Sequence, residues 1–398
     1  MKGINSVSNP IPEGILYLDY AATTPLAPEV LAEMMPYLTE AFGNAATIYS
    51  LGAQCRDAVE KARERVATLL GAEDPAEIVF TSGGTEADNT AIRGVYSLHP
   101  KSSIVCSSFE HHAVLDTCRA VAGDKCQVVD VDEDGLLRPE ALKRAMPPDT
   151  CLVSIMHSNN EIGTIQPIRE LAEVAHEAGA LFHTDAVQSV GKVPIDVVDL
   201  GVDLLSLSAH KLYGPKGVGA LFVRRRPRVR LLPLFSGGGQ ERGLRSGTLP
   251  APLIVGFGEA ARLAAAEGRL DEGRAAQQRA RLLARLSAAV PGLRENAAKA
   301  PRIAANLSIT FPGGADAQAI MAAAPGLCVS TGSACSSASV EPSYVLRALG
   351  MPDSEARATL RIGIGRFTSP RDIDTAADLL AEAWRRTVSS AVEQVSAE

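Results

Sequence analysis

Lys211 sits in the run VDLLSLSAHKLYGPKG, where an apolar strand-like segment ends at Ser208 and His210 and a Gly/Pro-rich loop begins. An amine at a strand end is positioned by the sheet. Desolvation or nearby cations can lower its pKa and make it a nucleophile toward an aldehyde. Lys216 is a rival deeper in the loop, and a single lysine is more often a solvated surface residue. Upstream, ALFHTDAVQS ends another apolar run at Asp185, with Gln188 three residues on. A carboxylate there can hold a proton on a pyridine nitrogen; taken alone, it equally fits the N-cap of a following helix. EIVFTSGGTEADNTAIRG passes from strand through SGGT into helix, so amides near Gly84 and Thr85 can receive a phosphate at a helix N-terminus, a pattern many such turns share. FEHHAVLDTCR places His111 and His112 after a further strand. Adjacent side chains on extended backbone point apart, which disfavours a joint metal site and leaves stacking on a planar ring or a satisfied core histidine. Near the end of the chain, VSTGSACSS holds Cys335 among residues that offer little apolar packing.

The elements that must position these residues follow from hydrophobic periodicity. From about residue 60 to 235, the short apolar runs EIVFTS, SSIVCSS, QVVDV, CLVSIMHS, ALFHTDA, VDLLSLS and GALFVR alternate with helix-period stretches. That rhythm predicts an α/β domain with a mainly parallel sheet, whose ligands collect beyond the carboxyl ends of the strands. After FSGGGQERGLRSGTLP, an Ala/Arg/Glu/Leu-rich stretch from Leu253 to about Val290 predicts one or two long helices at a domain junction. NLSITF, LCVSTG, TLRIGIG and a last helix from Pro370 predict a smaller α/β lobe. The expected division is a large domain over 16–262 and a small one formed by 1–15 and 263–398.

The chain has 398 residues, 46% of them hydrophobic, and a net charge of −7. That balance disfavours nucleic acid as a direct partner; the one basic cluster, RRRPRVR, follows a strand and reads as a solvated end. No apolar run reaches membrane-spanning length and the N-terminus lacks a secretory core, so a cytoplasmic location is expected. Seven cysteines without a CxxC pair argue against a disulfide framework or zinc knuckle.

Phosphate cradle, histidine, aspartate and lysine occur in that order at successive strand ends, as in pyridoxal-phosphate enzymes of the aspartate-aminotransferase type (fold type I). The segments YLDYAATTP, TSGGTEADN, EHHAVLDTCR, SIMHSNNEIGTIQPI, HTDAVQSVGK, SAHKLYGPKGVGALFVRR, GGGQERGLRSGTLP, TGSACSSASVEPSYVLRALG and LRIGIGRFT closely resemble the cysteine desulfurases of the NifS/IscS group. The resemblance runs from about residue 16 to the last helix. It implies that Lys211 holds pyridoxal 5′-phosphate and moves the substrate's α-proton, and that His111 stacks on the ring and assists proton transfer. Asp185 would bond the pyridine nitrogen, and Gln188 and Asn160 would approach the phenolic oxygen or the substrate. Gly84, Thr85, Ser208 and His210 would bind the phosphate. Thr248 would reach the phosphate of a neighbouring subunit in a homodimer, and Arg361 would clamp the carboxylate of L-cysteine. Cys335 would take the sulfur as a persulfide, leaving L-alanine, and pass it to an acceptor protein such as an iron–sulfur scaffold. No resident metal is implied, although Cys335 could donate transiently to a nascent cluster.

Four positions depart from the family pattern. Ala45 and Tyr49 stand where proline and histidine are usual, Cys328 where a small apolar residue is usual, and Thr331 where serine is common. Cys328 reads as a strand residue, with a disulfide to Cys335 as the alternative. Selenocysteine cleavage, another class V activity, or a non-catalytic sulfur-carrier scaffold are the rival functions; a scaffold has no reason to keep Lys211, Asp185, His111, Cys335 and Arg361 together.

Overall fold

The computed structural model describes residues 10–331 and 341–395. In chain order, the first elements are β1 (Leu16–Tyr17), α1 (Pro28–Thr39), α2 (Ser50–Leu70), β2 (Ile78–Thr81), α3 (Gly84–Tyr96), β3 (Ser103–Ser107), α4 (His112–Ala122) and β4 (Cys126–Val129). Next come α5 (Pro139–Ala145), β5 (Thr150–Ser154), α6 (Ile168–Glu177), β6 (Leu181–Asp185), β7 (Leu204–Ser208), β8 (Gly219–Val223) and α7 (Ala251–Ala289). The last are β9 (Arg294–Glu295), β10 (Asn306–Thr310), α8 (Ala317–Ala323), β11 (Leu327–Cys328), α9 (Tyr344–Ala348), α10 (Asp353–Arg357), β12 (Thr359–Gly363) and α11 (Pro370–Val395). Among the described residues, no helix is long and apolar enough to cross a membrane.

Strands β2 to β8 form one sheet in the order β2-β8-β7-β6-β5-β3-β4. Every pairing is parallel except those of β8, which runs antiparallel to both β7 and β2. Two antiparallel steps restore the direction, so β2 points the same way as β7. The carboxyl ends of β2, β3, β5, β6 and β7 therefore share one edge. Strands β2, β3, β7 and β8 are buried along their whole length, which is why they read as unbroken apolar runs rather than alternating ones.

The Ala/Arg/Glu/Leu-rich stretch is a single helix, α7, of 39 residues, about 58 Å long. Its first half packs in a core with α1, α2 and one face of the large sheet, through Ile254, Phe257, Ala260 and Leu263. Its second half contributes Ala275, Leu282 and Leu286 to a separate core with β10, β12 and α11. The expected boundary at 262/263 thus falls inside a continuous helix, and Leu18, expected with the large domain, packs in the second core. A Cβ on Gly258 would lie 2.6 Å from Cα of Ala62, so the close approach of α7 to α2 requires glycine there.

The smaller sheet is antiparallel, in the order β12-β10-β9, and β1 pairs in parallel with β11. Cys328 lies opposite Tyr17 in that pair, half-buried, with its thiol pKa raised by burial and by Asp19.

Candidate active site

Five strand ends converge on one cavity of about 410 Å³, within the usual size of a small-molecule site. Its wall includes Gly84, Thr85, His111, Asn160, Asp185, Gln188, Ser208, His210, Lys211 and Arg361, ten of the twelve residues singled out from sequence. Thr248 is exposed and lies outside this wall. Cys335 lies outside the described residues, as does the rest of 332–340. Lys216 is exposed and not part of the cavity, and neither Ala45 nor Tyr49 lines it.

Lys211 closes a single 3₁₀ turn, Ala209–Lys211, directly after β7. Its side chain is buried, and Nζ donates to the carbonyls of Ala21 (2.5 Å) and Ala22 (2.6 Å). Two carbonyls aim the amine without neutralising it. Asp185 ends β6; its Oδ1 accepts from Val187 N at 2.9 Å in a turn rather than capping a helix. Burial pushes the Asp185 carboxyl above its usual range, while His111 and Lys211 act in the opposite direction.

His111 is the N-cap of α4, its Nδ1 accepting from Ala113 N at 3.1 Å. That bond assigns the ring proton to Nε2. The neighbouring His112 is exposed and pairs with Asp116, so the two rings separate as expected. Among the described residues, no group of three or more His, Cys, Asp or Glu could hold a metal ion.

The phosphate end is built from α3 and the turn after β7. At Gly84 an added Cβ would meet Val187 Cγ2 at 2.7 Å while standing in ordinary contact with Ser208 Cβ at 3.8 Å, so it is the packing of the first turn of α3 against Val187 that favours glycine. Amides there carry the positive end of the helix dipole. His210 bonds Thr23 Oγ1 at 3.1 Å, and burial, then Lys211, Lys216 and Lys192, push its pKa down to about 4. Those lysines make the surroundings of a neutral His210 favourable for an anion.

Arg361, on β12, reaches across from the smaller sheet. Its guanidinium is buried and donates to Asp19 Oδ1 (2.9 Å) and the carbonyl of Asn160 (3.2 Å). The side-chain Oδ1 of Asn160 is buried and has no hydrogen-bond partner among the described residues, as expected of a polar atom awaiting a ligand.

Sequence reading missed other parts of the wall. Ala21, Ala22, Asp88, Met156 and Val187 also line the cavity. Asp88 sits one helical turn after Thr85, a spacing that could have flagged it, and burial together with Asp185 and Glu110 holds its carboxyl well above the usual range. Glu110 and Glu161 are likewise buried, and burial raises them to about 8 and about 7.

An anion cradle, a carboxylate at the end of β6, a histidine and a buried lysine around one cavity fit a phosphorylated pyridine aldehyde, and the unpartnered Asn160 oxygen fits a polar ligand. Fold and site define a pyridoxal-phosphate-dependent transferase of fold type I. The family model for aminotransferase class V matches residues 16–375. Cysteine desulfurase IscS of Anaeromyxobacter sp. (strain Fw109-5) is 49% identical over 377 residues, covering 93% of each chain. A solved NifS-like protein superposes with a TM-score of 0.85 at 34% identity, covering 92% of this chain and 98% of its own. The structure described as SspA in complex with cysteine gives 0.79 at 38%, covering 89% and 99%. The chain belongs to the class V aminotransferase family, and within it to the cysteine desulfurases of the NifS/IscS group.

Proposed function

We propose that this chain takes the sulfur of L-cysteine onto Cys335, releasing L-alanine, and hands the persulfide sulfur to an acceptor protein. The observation that carries this reading is the gathering of Lys211, Asp185, His111, Asn160 and Arg361 around one cavity from segments spread over the whole chain. Bound there, pyridoxal phosphate supplies the electron-poor ring that lets the α-proton leave and the carbon–sulfur bond weaken. Lys211 would hold the cofactor, and its amine, buried in the cavity wall, would serve as the base for the α-proton. Asp185 keeps the proton on the ring nitrogen. Gly84, Thr85, Ser208 and His210 hold the phosphate, and Arg361 orients the substrate carboxylate with Asn160 beside it.

Cys335 attacks the substrate sulfur as thiolate: a sulfur–sulfur bond forms, the carbon–sulfur bond breaks, and the carbon keeps the electron pair and takes up a proton. The approach to this residue is anchored at the site. Ser330 and Arg361 exchange backbone hydrogen bonds in both directions, 3.2 and 2.6 Å, and Cys335 is only five residues further, within roughly 17 Å of extended chain.

Homodimerisation is part of the same proposal. Leu31, Met35 and Leu38 lie exposed on one face of α1, with Phe42 and Ile48 (97% exposed) beyond it, an apolar surface that a second copy would cover. The exposed Thr248 is then free to serve the partner's phosphate site.

The experiment is a pair of variants. Lys211→Ala abolishes the visible absorbance of the holoenzyme and its alanine production; Cys335→Ala keeps the absorbance and loses turnover and the persulfide, mapped by mass spectrometry of cysteine-treated protein. Full turnover in Cys335→Ala would overturn the assignment.

A further inference from the structure

Behind the candidate active site lies a second, smaller cavity that shares Ala21, Gln188 and Lys211 with it as a common wall. Its far side carries Lys192, Glu272, Asp271 and Arg366. Lys192 belongs to none of the roles above, yet Nζ lies 3.3 Å from Gln188 Oε1, and Gln188 Nε2 donates at 2.9 Å to the carbonyl of Ala21, the same carbonyl that receives Lys211.

We propose that Lys192 is a positioning residue for the reaction: it fixes the Gln188 amide so that Gln188 presents an N–H, and not a carbonyl, to the ring oxygen of the cofactor. The inference rests on the functional reading above, which sets the cofactor against Gln188.

Donor and acceptor chemistry decides the orientation. An ammonium only donates and a carbonyl only accepts, so Oε1 must face Lys192 and Nε2 must face Ala21. A flipped amide would set NH₂ against NH₃⁺ and oxygen against oxygen, losing both bonds while the groups stay buried. One amide hydrogen is used on Ala21, and the second remains for the cavity that Gln188 lines. Without Lys192, only the Ala21 bond holds the amide in that sense. An N–H stabilises an anionic ring oxygen, whereas a carbonyl would repel it.

The groups around Lys192 keep it able to do this at neutral pH. Burial lowers its pKa to about 8, Glu272 on α7 raises it, and Arg361 on β12 lowers it; Asp271, Arg366 and Tyr213 line the same cavity, and His210 feels its charge. Lys192 is therefore mostly cationic at pH 7, and its charge adds to the potential favouring the oxyanion.

The test is the pH titration of the visible absorbance of the holoenzyme, followed below pH 8. In Lys192→Met, loss of the cation and of the fixed N–H favours the protonated form, and the midpoint is expected to rise by at least about half a pH unit. Lys192→Arg, which keeps charge and donor, leaves the midpoint close to that of the parent protein. Gln188→Met raises the midpoint with Lys192 in place, and adding Lys192→Met to it then moves the midpoint by less than half of the single-variant shift. A merely structural lysine would lower the melting temperature and leave the midpoint where it was. An unchanged midpoint in Lys192→Met or in Gln188→Met, or an undiminished Lys192 effect without Gln188, overturns the proposal. A visible band that survives Lys211→Ala refutes the functional reading and this inference with it; a Lys211-dependent band with an unchanged midpoint refutes this inference alone.

Discussion

Ser343 Oγ donates a 2.5 Å hydrogen bond to Glu161 Oε2, joining the N-cap of α9 to the loop that carries Asn160. Burial raises Glu161 to about 7, against the lowering effect of Ser343, Arg361 and His111. A carboxyl that binds its proton more tightly in the folded state stabilises the fold fully below about pH 4.5. It loses that contribution as pH rises through 7. Glu110, raised to about 8, acts in the same sense. The buried His157, His183 and His210, whose pKa values burial lowers, act in the opposite sense below about pH 6.5, so melting temperature is expected to decline from pH 7 to pH 8.5, where only the carboxyls still titrate in this sense. Glu161→Gln keeps an oxygen for Ser343 and cannot ionise: it should match the parent protein at pH 5 and exceed it by about 2 °C at pH 8.5, measured by calorimetry.

Arg361 has a planar guanidinium whose donors already serve Asp19 and Asn160. Arg361→Lys keeps the charge and loses the fork. Loss of a charge-assisted contact worth about 1.5–3 kcal/mol predicts that KM for L-cysteine rises roughly 10- to 100-fold, with cofactor absorbance retained. Steady-state kinetics on the reconstituted enzyme checks it.

Gly84→Ala tests the phosphate end. The new methyl would stand 2.7 Å from Val187 Cγ2, so the Val187 side chain or the first turn of α3 must shift at the mouth of the phosphate end. Overpacking of this kind costs about 1–3 kcal/mol. The cost should fall on cofactor binding, read as a roughly tenfold or greater weakening of pyridoxal phosphate affinity in apoenzyme titrations.

Lys211, Asp185 and His111 were legible because each follows an apolar run long enough to read as a strand, and parallel sheets place strand ends together. The antiparallel course of β8 was not legible: Gly219–Val223 has the same continuous apolar character as its parallel neighbours, and direction is set by partners remote in sequence. Glu110, Glu161 and Lys192 look like ordinary solvated charges in the sequence. Their burial involves the loop after β5, the N-cap of α9 and α7, which only the tertiary fold brings near. Ala21 and Ala22 contribute backbone carbonyls, and no side-chain pattern announces those. Arg361 was readable only by resemblance, since it lies in β12, far from the large sheet in the chain.

Asp185→Asn separates the electrostatic role of this carboxylate from its structural one. The amide oxygen can still accept from Val187 N, so the turn after β6 stays intact. It cannot hold a proton on a ring nitrogen, and kcat should fall by roughly 10²–10³, the size of effect seen when one preorganised electrostatic group is lost. Stability moves the other way. Burial holds the Asp185 carboxyl above its usual range, so its ionised form opposes folding at alkaline pH. An asparagine removes that opposition. The apoprotein of Asp185→Asn is expected to melt at or above the temperature of the parent apoprotein at pH 8. A variant that lost activity and melted well below the parent would mean that this carboxylate holds the fold together rather than serving the chemistry.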